Sequence, residues 1–248
     1  MRRLWRLAAL VLVAAIGLQL FFLARIALMA VVDPQSTAFQ RSEAWRIAAA
    51  GKPLRWRQQW VPYGRISEHL KRAVIASEDD GFSSHEGVDW EALEKAWERN
   101  ARAEERAARQ QARASTRSQL APARPPKIVG GSTITQQLAK NLLLSGERTL
   151  LRKGQEFVLT FALERLLSKE RILEIYLNSV EWGEGVFGAE AAARHYWRKS
   201  AAQLAPYEAA RLAVMLPRPK YFEKLPNSGY LASRASTIMA RMRGAELP

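Results

Sequence analysis

Glu78, Asp79 and Asp80 are the one run of three acidic residues in the chain, and they follow Leu70, Ala73, Val74 and Ser77, which share a helical face. A carboxyl half-buried beside other carboxyls resists ionisation, so its pKa rises toward the range of a general acid or base. A solvated acidic helix end is the plainer reading of the same residues. Glu156 is a second candidate. It lies three residues after Lys153 and four after Arg152, within reach of both on a helix. By residue type alone an ordinary surface ion pair describes it equally well.

Between these carboxylates lies a stretch suited to phosphate. Residues 130–156 carry Ser132, Gln136, Gln137 and Asn141, then Lys140, Arg148, Arg152 and Lys153. Ile134, Leu138 and Leu142 recur at helical spacing and form an apolar wall beside these groups. Amides, cations and an apolar wall together suit a phosphorylated ligand with a hydrophobic tail.

Helices must position these groups. Gly130-Gly131 gives a bend, and Thr133-x-x-Gln136 has the spacing of a capping box. The pattern predicts a helix from Thr133 toward Gly146, and others over 42–50, 66–78, 90–114, 157–167, 169–178, 189–197, 207–215 and 234–243. Leu54 to Val61 reads as a short extended piece, and Trp182 to Gly188 as a loop. Pro217 and Pro219 stop the helix before them. Strand signals are few, so the expected class is mainly α.

Several chemistries find no support. Gly183-x-Gly185-x-x-Gly188 follows a helical segment rather than a strand, so it reads as loop geometry and not as a dinucleotide fingerprint. His69, His85 and His195 lack metal-ligand spacing, and with no cysteine there is no thiolate ligand, thiol nucleophile or disulfide.

The 248 residues carry a net charge of +14, which favours an anionic partner. Residues 98–127 hold eight Arg or Lys against three Glu, and Pro122, Pro125 and Pro126 bar a long helix in their second half. Without interleaved aromatics this segment reads as a mobile, solvated basic connection, and nucleic acid is not an expected partner. At the other end Arg2, Arg3 and Arg6 precede an apolar run from Leu7 to Val32, broken by Gln19 and Arg25. As a helix this run spans about 39 Å, against a hydrocarbon core of roughly 30 Å. The arginines predict a cytoplasmic N-terminus and a body outside the cytoplasm. A cleaved signal peptide is the alternative, though its apolar region would be shorter.

Four segments, in order, carry a family resemblance. They are Glu78-Asp79-Asp80-Gly81-Phe82-Ser83-Ser84-His85-Glu86-Gly87, Gly130 to Asn141, Arg152-Lys153-Gly154-Gln155-Glu156, and Lys169 to Asn178. Over about residues 55–225 the chain resembles the family 51 glycosyltransferases, the peptidoglycan glycan-chain polymerases. With an anchor and no room for a transpeptidase domain, it is similar to the monofunctional members. The basic segment is longer than expected for the family, and its arginines would meet anionic lipid headgroups.

That resemblance implies a lysozyme-like glycosyltransferase domain behind a single transmembrane helix. The implied divisions are a cytoplasmic 1–6, a transmembrane anchor 7–32, a juxtamembrane linker 33–54, the catalytic domain 55–225 with a basic mobile insertion at 98–127, and a C-terminal helix and tail 226–248. The implied reaction joins lipid II units by β-1,4 bonds with inversion and releases undecaprenyl diphosphate. Glu78 is then the general base, and Lys140, Arg148, Arg152 and Lys153 stabilise the departing diphosphate. Glu156 is the second essential glutamate. Ser132, Gln136, Gln137 and Asn141, with Asp79, Phe82 and His85, fall among the substrate-binding residues. No cofactor is obligatory, but Asp79 and Asp80 leave room for a divalent metal, Mg or Mn. The implied partners are lipid II, the growing glycan strand, the cell inner membrane around a single-pass anchor, and proteins of cell-wall synthesis or division. The catalytic domain is expected in the periplasm. Two other functions compete: a lysozyme-like lytic enzyme that cleaves peptidoglycan, and a non-catalytic cell-wall scaffold. A lytic enzyme needs a carboxylic acid at the glycosidic oxygen, but not four cations beside a second glutamate.

Overall fold

The computed structural model describes residues 1–115, 130–144, 146–147 and 149–248. Arg148 and residues 116–127 of the basic segment therefore lie outside the described residues. In chain order the elements are α1 (Arg2–Leu28), α2 (Ala38–Ala49), β1 (Arg57–Gln58), α3 (Glu68–Glu78), α4 (Trp90–Ser115), α5 (Ile134–Leu143), α6 (Leu150–Leu166) and α7 (Lys169–Ser179). They continue with β2 (Glu181–Gly183), β3 (Val186–Phe187), α8 (Ala189–Trp197), α9 (Pro206–Met215), α10 (Pro219–Glu223) and α11 (Gly229–Arg241). The mainly helical class expected from the sequence is the class found.

The core is built around α3. Leu70, Ala73, Val74, Ile75 and Ala76 are buried where α3 packs on α9 and α11. The alanines of α9, Ala209, Ala210 and Ala213, let the two backbones approach closely, and all three are fully buried. Each large apolar side chain removed from water here contributes roughly 1.5–3 kcal/mol. A second layer sets α5 against α6 and α7, with Ile134, Leu138 and Leu142 facing inward as their spacing required. The helix α1 is long and apolar enough to cross a membrane and lies against α6 near its C-terminal end. It starts before the expected 7–32 anchor and ends at Leu28.

Some local expectations are corrected. The Trp182–Gly188 loop is a tight pair of strands, β2 antiparallel to β3, with β1 added in parallel on the far side. Gly185 has φ +74°, and a Cβ there would sit 1.9 Å from the Arg55 carbonyl oxygen, so the glycine serves the close passage of the β1 segment. The extended piece near Leu54–Val61 contracts to Arg57–Gln58. Pro219 opens α10 rather than only ending α9, since proline suits the first helical turn. The last helix starts at Gly229, ahead of the expected Arg234. Most consequential, α6 begins at Leu150 and not Phe157, because Thr149 caps it by accepting from the Arg152 backbone N–H at 3.1 Å. Arg152, Lys153 and Glu156 thereby share one helix.

Candidate active site

Glu78 is the last residue of α3, half-buried, with its carboxylate turned toward α5. Its Oε2 accepts a hydrogen bond from Gln137 Nε2 at 3.0 Å, and Oε1 has no hydrogen-bond partner among the described residues. Gln137 is held in turn: its Oε1 accepts from the Tyr176 hydroxyl at 2.9 Å. Burial first, and then the nearby charges of Glu78 and Asp79, push the Tyr176 phenol well above its usual range. It stays a donor, which fixes which end of the Gln137 carboxamide faces Glu78. The Glu78 carboxyl is itself pushed up, mainly by burial and further by Asp79, while the Gln137 hydrogen bond pulls the other way. The result is a carboxylate with one oxygen oriented, one oxygen available and a raised appetite for a proton.

Asp79, its neighbour, has a different task. Its side chain is buried; Oδ1 pairs with His85 Nε2 at 2.8 Å, and Oδ2 accepts from the Ile134 backbone N–H at 2.9 Å. A carboxylate at the first turn of α5 meets the unpaired amides and the positive end of the helix dipole. The His85 Nδ1 accepts from the Gly87 N–H at 3.1 Å, so the hydrogen shared with Asp79 is on Nε2. The Thr133 hydroxyl then donates to the Gly87 carbonyl at 2.6 Å. Gly87 has φ +86°, and a Cβ there would lie 2.8 Å from both Thr160 and Glu164 on α6. Thr135 donates to Glu164 at 2.5 Å, and Glu164 pairs with Lys169 at 2.9 Å. The first, second and fourth sequence segments are thus tied into one frame, with α6 behind them.

The third segment lies on the first turns of α6. Glu156 is buried; its Oε2 receives Arg152 at 2.9 Å and its Oε1 receives Lys153 at 2.5 Å. Arg152 Nε is buried with no hydrogen-bond partner among the described residues. Two cations share one buried carboxylate next to the positive end of α6, an arrangement that attracts a further anion. On α5, Lys140 is exposed one turn beyond Gln137, with Asn141 half-buried beside it and Ser132 exposed before the helix. Since α5 packs on α6, this helix links the Glu78 carboxylate to the side of the molecule that carries the cations.

Three expected substrate-binding residues already have partners within the fold. Gln136 is buried and spends its carboxamide on the Thr133 N–H at 3.1 Å, completing the capping box. Phe82 is fully buried, edge-on to His85 and with Lys169 Nζ 4.6 Å from its ring centroid. Asp79 has both oxygens occupied, as above. His85 shares that bracing role, although it also lines a cavity of about 720 Å³ between α1, α6 and the Ser83–Glu86 loop. In the Asp79–Asp80 pair, both Asp79 oxygens have partners, and Asp80 pairs with Arg241 at 3.2 Å. Among the described residues no three histidines or carboxylates converge as a ligand set. Tyr176 and Glu164 were not expected at the site. Tyr176 sat on an apolar helical face, and only its pairing with Gln137 reveals its use.

The family described as Transglycosylase matches residues 47–243. A biosynthetic peptidoglycan transglycosylase of Burkholderia thailandensis is 52% identical over 235 residues, covering 95% of this chain and 84% of that protein. The protein of the same name from Bordetella pertussis is 51% identical over 238 residues, covering 96% and 91%.

Proposed function

The chain belongs to the transglycosylase family, and from that premise we propose that it polymerises lipid II into β-1,4-linked glycan strands with inversion, releasing undecaprenyl diphosphate. It is a peptidoglycan glycosyltransferase of cell-wall biosynthesis with a lysozyme-like fold. Glu78 takes the proton from the 4-hydroxyl of the acceptor sugar as that oxygen attacks the donor anomeric carbon. Its raised proton affinity suits this step, and the Gln137 hydrogen bond keeps one oxygen oriented while the other accepts the proton. As the donor carbon–oxygen bond breaks, charge grows on the diphosphate. Lys140, Arg148, Arg152 and Lys153 stabilise it there, with Ser132 and Asn141 beside them.

The observation that carries this reading is buried Glu156 holding Arg152 and Lys153 together on the first turns of α6. A hydrolase acting on a neutral glycosidic bond has no departing diphosphate for such cations to meet, so the lytic reading leaves them without a task. Incubating the purified chain with labelled lipid II separates the alternatives. Polymer supports the polymerase. Muropeptides released from sacculi, without polymer, support a lytic enzyme, and no turnover of either supports a scaffold.

The apolar helix α1 is compatible with a single-pass anchor. The three arginines before its apolar run support a cytoplasmic N-terminus in the cell inner membrane and a catalytic domain in the periplasm. There the domain shares the bilayer surface with a substrate whose polyprenyl tail is in the membrane. The growing glycan strand, and proteins of cell-wall synthesis or division, are the further partners of this proposal.

A further inference from the structure

We propose that Gln19 and Gln155 are positioning residues for glycosyl transfer, a reciprocal amide pair that holds the membrane helix against the helix bearing the diphosphate-binding cations. This rests on the function proposed above. Gln19 is the one polar residue between Leu7 and Ala24. Its Nε2 donates to Gln155 Oε1 at 2.9 Å, and Gln155 Nε2 donates back to Gln19 Oε1 at 2.9 Å. Each carboxamide uses its oxygen and its nitrogen on the other, so the pair closes on itself and one side chain specifies the other.

The pair fixes more than contact. Gln155 lies between Lys153 and Glu156 on α6, within the turn that holds Arg152. A second attachment stands further along: Arg171 donates to the Met29 carbonyl at 2.8 Å and pairs with Asp33 at 2.8 Å. The contacts advance in the same direction on both partners, Gln19 with Gln155 and then Met29 with Arg171. Ten helical residues separate the two points on α1, about 15 Å. Two attachments at that separation, one on α6 and one on α7, set the height of these joined helices along α1 and their rotation about it. A sliding or turning α6 would carry Arg152 and Lys153 away from a diphosphate held at constant depth by its lipid tail.

The test uses the full chain in lipid vesicles. Gln19→Leu should raise KM for lipid II about three- to tenfold, the reach of one interhelical amide pair, with kcat little changed. Gln155→Leu should match it, and the double variant should be no worse than either alone, because both remove the same pair. The chain has no cysteine, so Gln19→Cys with Gln155→Cys reports on this contact alone. The carboxamides meet end to end, and a short bifunctional thiol reagent, longer than a disulfide, should span the gap in the membrane. Cross-linking should return the raised KM of that variant to the wild-type value. Wild-type kinetics in Gln19→Leu, additive losses in the double variant, or failure to cross-link would each overturn the proposal. The cross-link yield is read without turnover, so it tests the strap even where the polymerase reading fails.

Discussion

Gln137 donates to Glu78 at 3.0 Å while its other end is fixed by Tyr176, so the carboxylate is oriented by an amide that cannot turn round. The hydrogen bond favours the ionised carboxylate. Gln137→Leu removes it, and the Glu78 pKa should rise further above its ordinary value. A base must be ionised to act, so the acidic limb of the kcat/KM profile should move to higher pH, and kcat/KM near pH 7 should fall about tenfold. A limb that stays in place, or moves down, excludes this role for Gln137. Adding Tyr176→Phe removes the orphaned hydroxyl, recovering about 1–3 kcal/mol of stability without restoring activity.

Glu78→Gln should abolish polymerisation while lipid II binding largely survives. It should also stabilise the fold. The folded-state pKa of Glu78 lies above its unfolded value, so its contribution to stability is fully present below the unfolded pKa and is lost as pH rises through the folded one. A neutral glutamine escapes that loss. The variant should melt a few degrees higher than wild type near pH 8, with the gain vanishing near pH 4. Near-normal activity in this variant would remove Glu78 from the role of base.

Glu156→Gln leaves Arg152 and Lys153 without their shared counter-charge. The Lys153 side chain is 40% exposed and can turn to solvent, whereas Arg152 at 17% is confined. The cost in stability should therefore be about 2 kcal/mol, below the usual range for breaking a buried pair. Polymerisation should fall by at least about tenfold. Thermal unfolding and steady-state rates measured together decide this. If neither changes, the Glu156 ion pairs carry neither stability nor catalysis.

Glu181 offers a pH test remote from the chemistry. Burial pushes its carboxyl up to about 7, with Glu43 adding to the rise and Lys220 opposing it. Lys220 lies 3.3 Å from Oε1, within ion-pair reach. Stability from its protonated form is present below about 4.5 and lost as pH rises through about 7. Glu181→Gln should therefore raise stability at pH 8 by about 2 kcal/mol, several degrees in Tm, and change little at pH 5. Equal effects at both pH values would show that the carboxyl stays ionised throughout.

Local signals in the sequence were dependable. The Thr133–Gln136 spacing gave the α5 cap, the 3.6-residue period gave its buried face, and α8 spans Ala189–Trp197 as its pattern required. The same capping spacing bears on a site residue, because it commits the Gln136 side-chain oxygen to the Thr133 amide. Non-local pairings were hidden. The β2 and β3 strands are short and separated by Gly185, and the third strand, Arg57–Gln58, comes from far away in the chain to pair with β3. Tyr176 reads as one more apolar helical position until the fold brings Gln137 to its hydroxyl. Phe82 and His85 lie within a segment shared with the family, yet they brace the loop that presents Glu78's neighbourhood.

The two-point attachment of α1 to α6 and α7 also bears on reaction order. Under the proposed function the catalytic groups stand at a set height and the substrate is tethered by its tail, so encounter is a search in a plane. The rate then follows the number of substrate molecules per unit of membrane area, and diluting the vesicles in buffer leaves it unchanged.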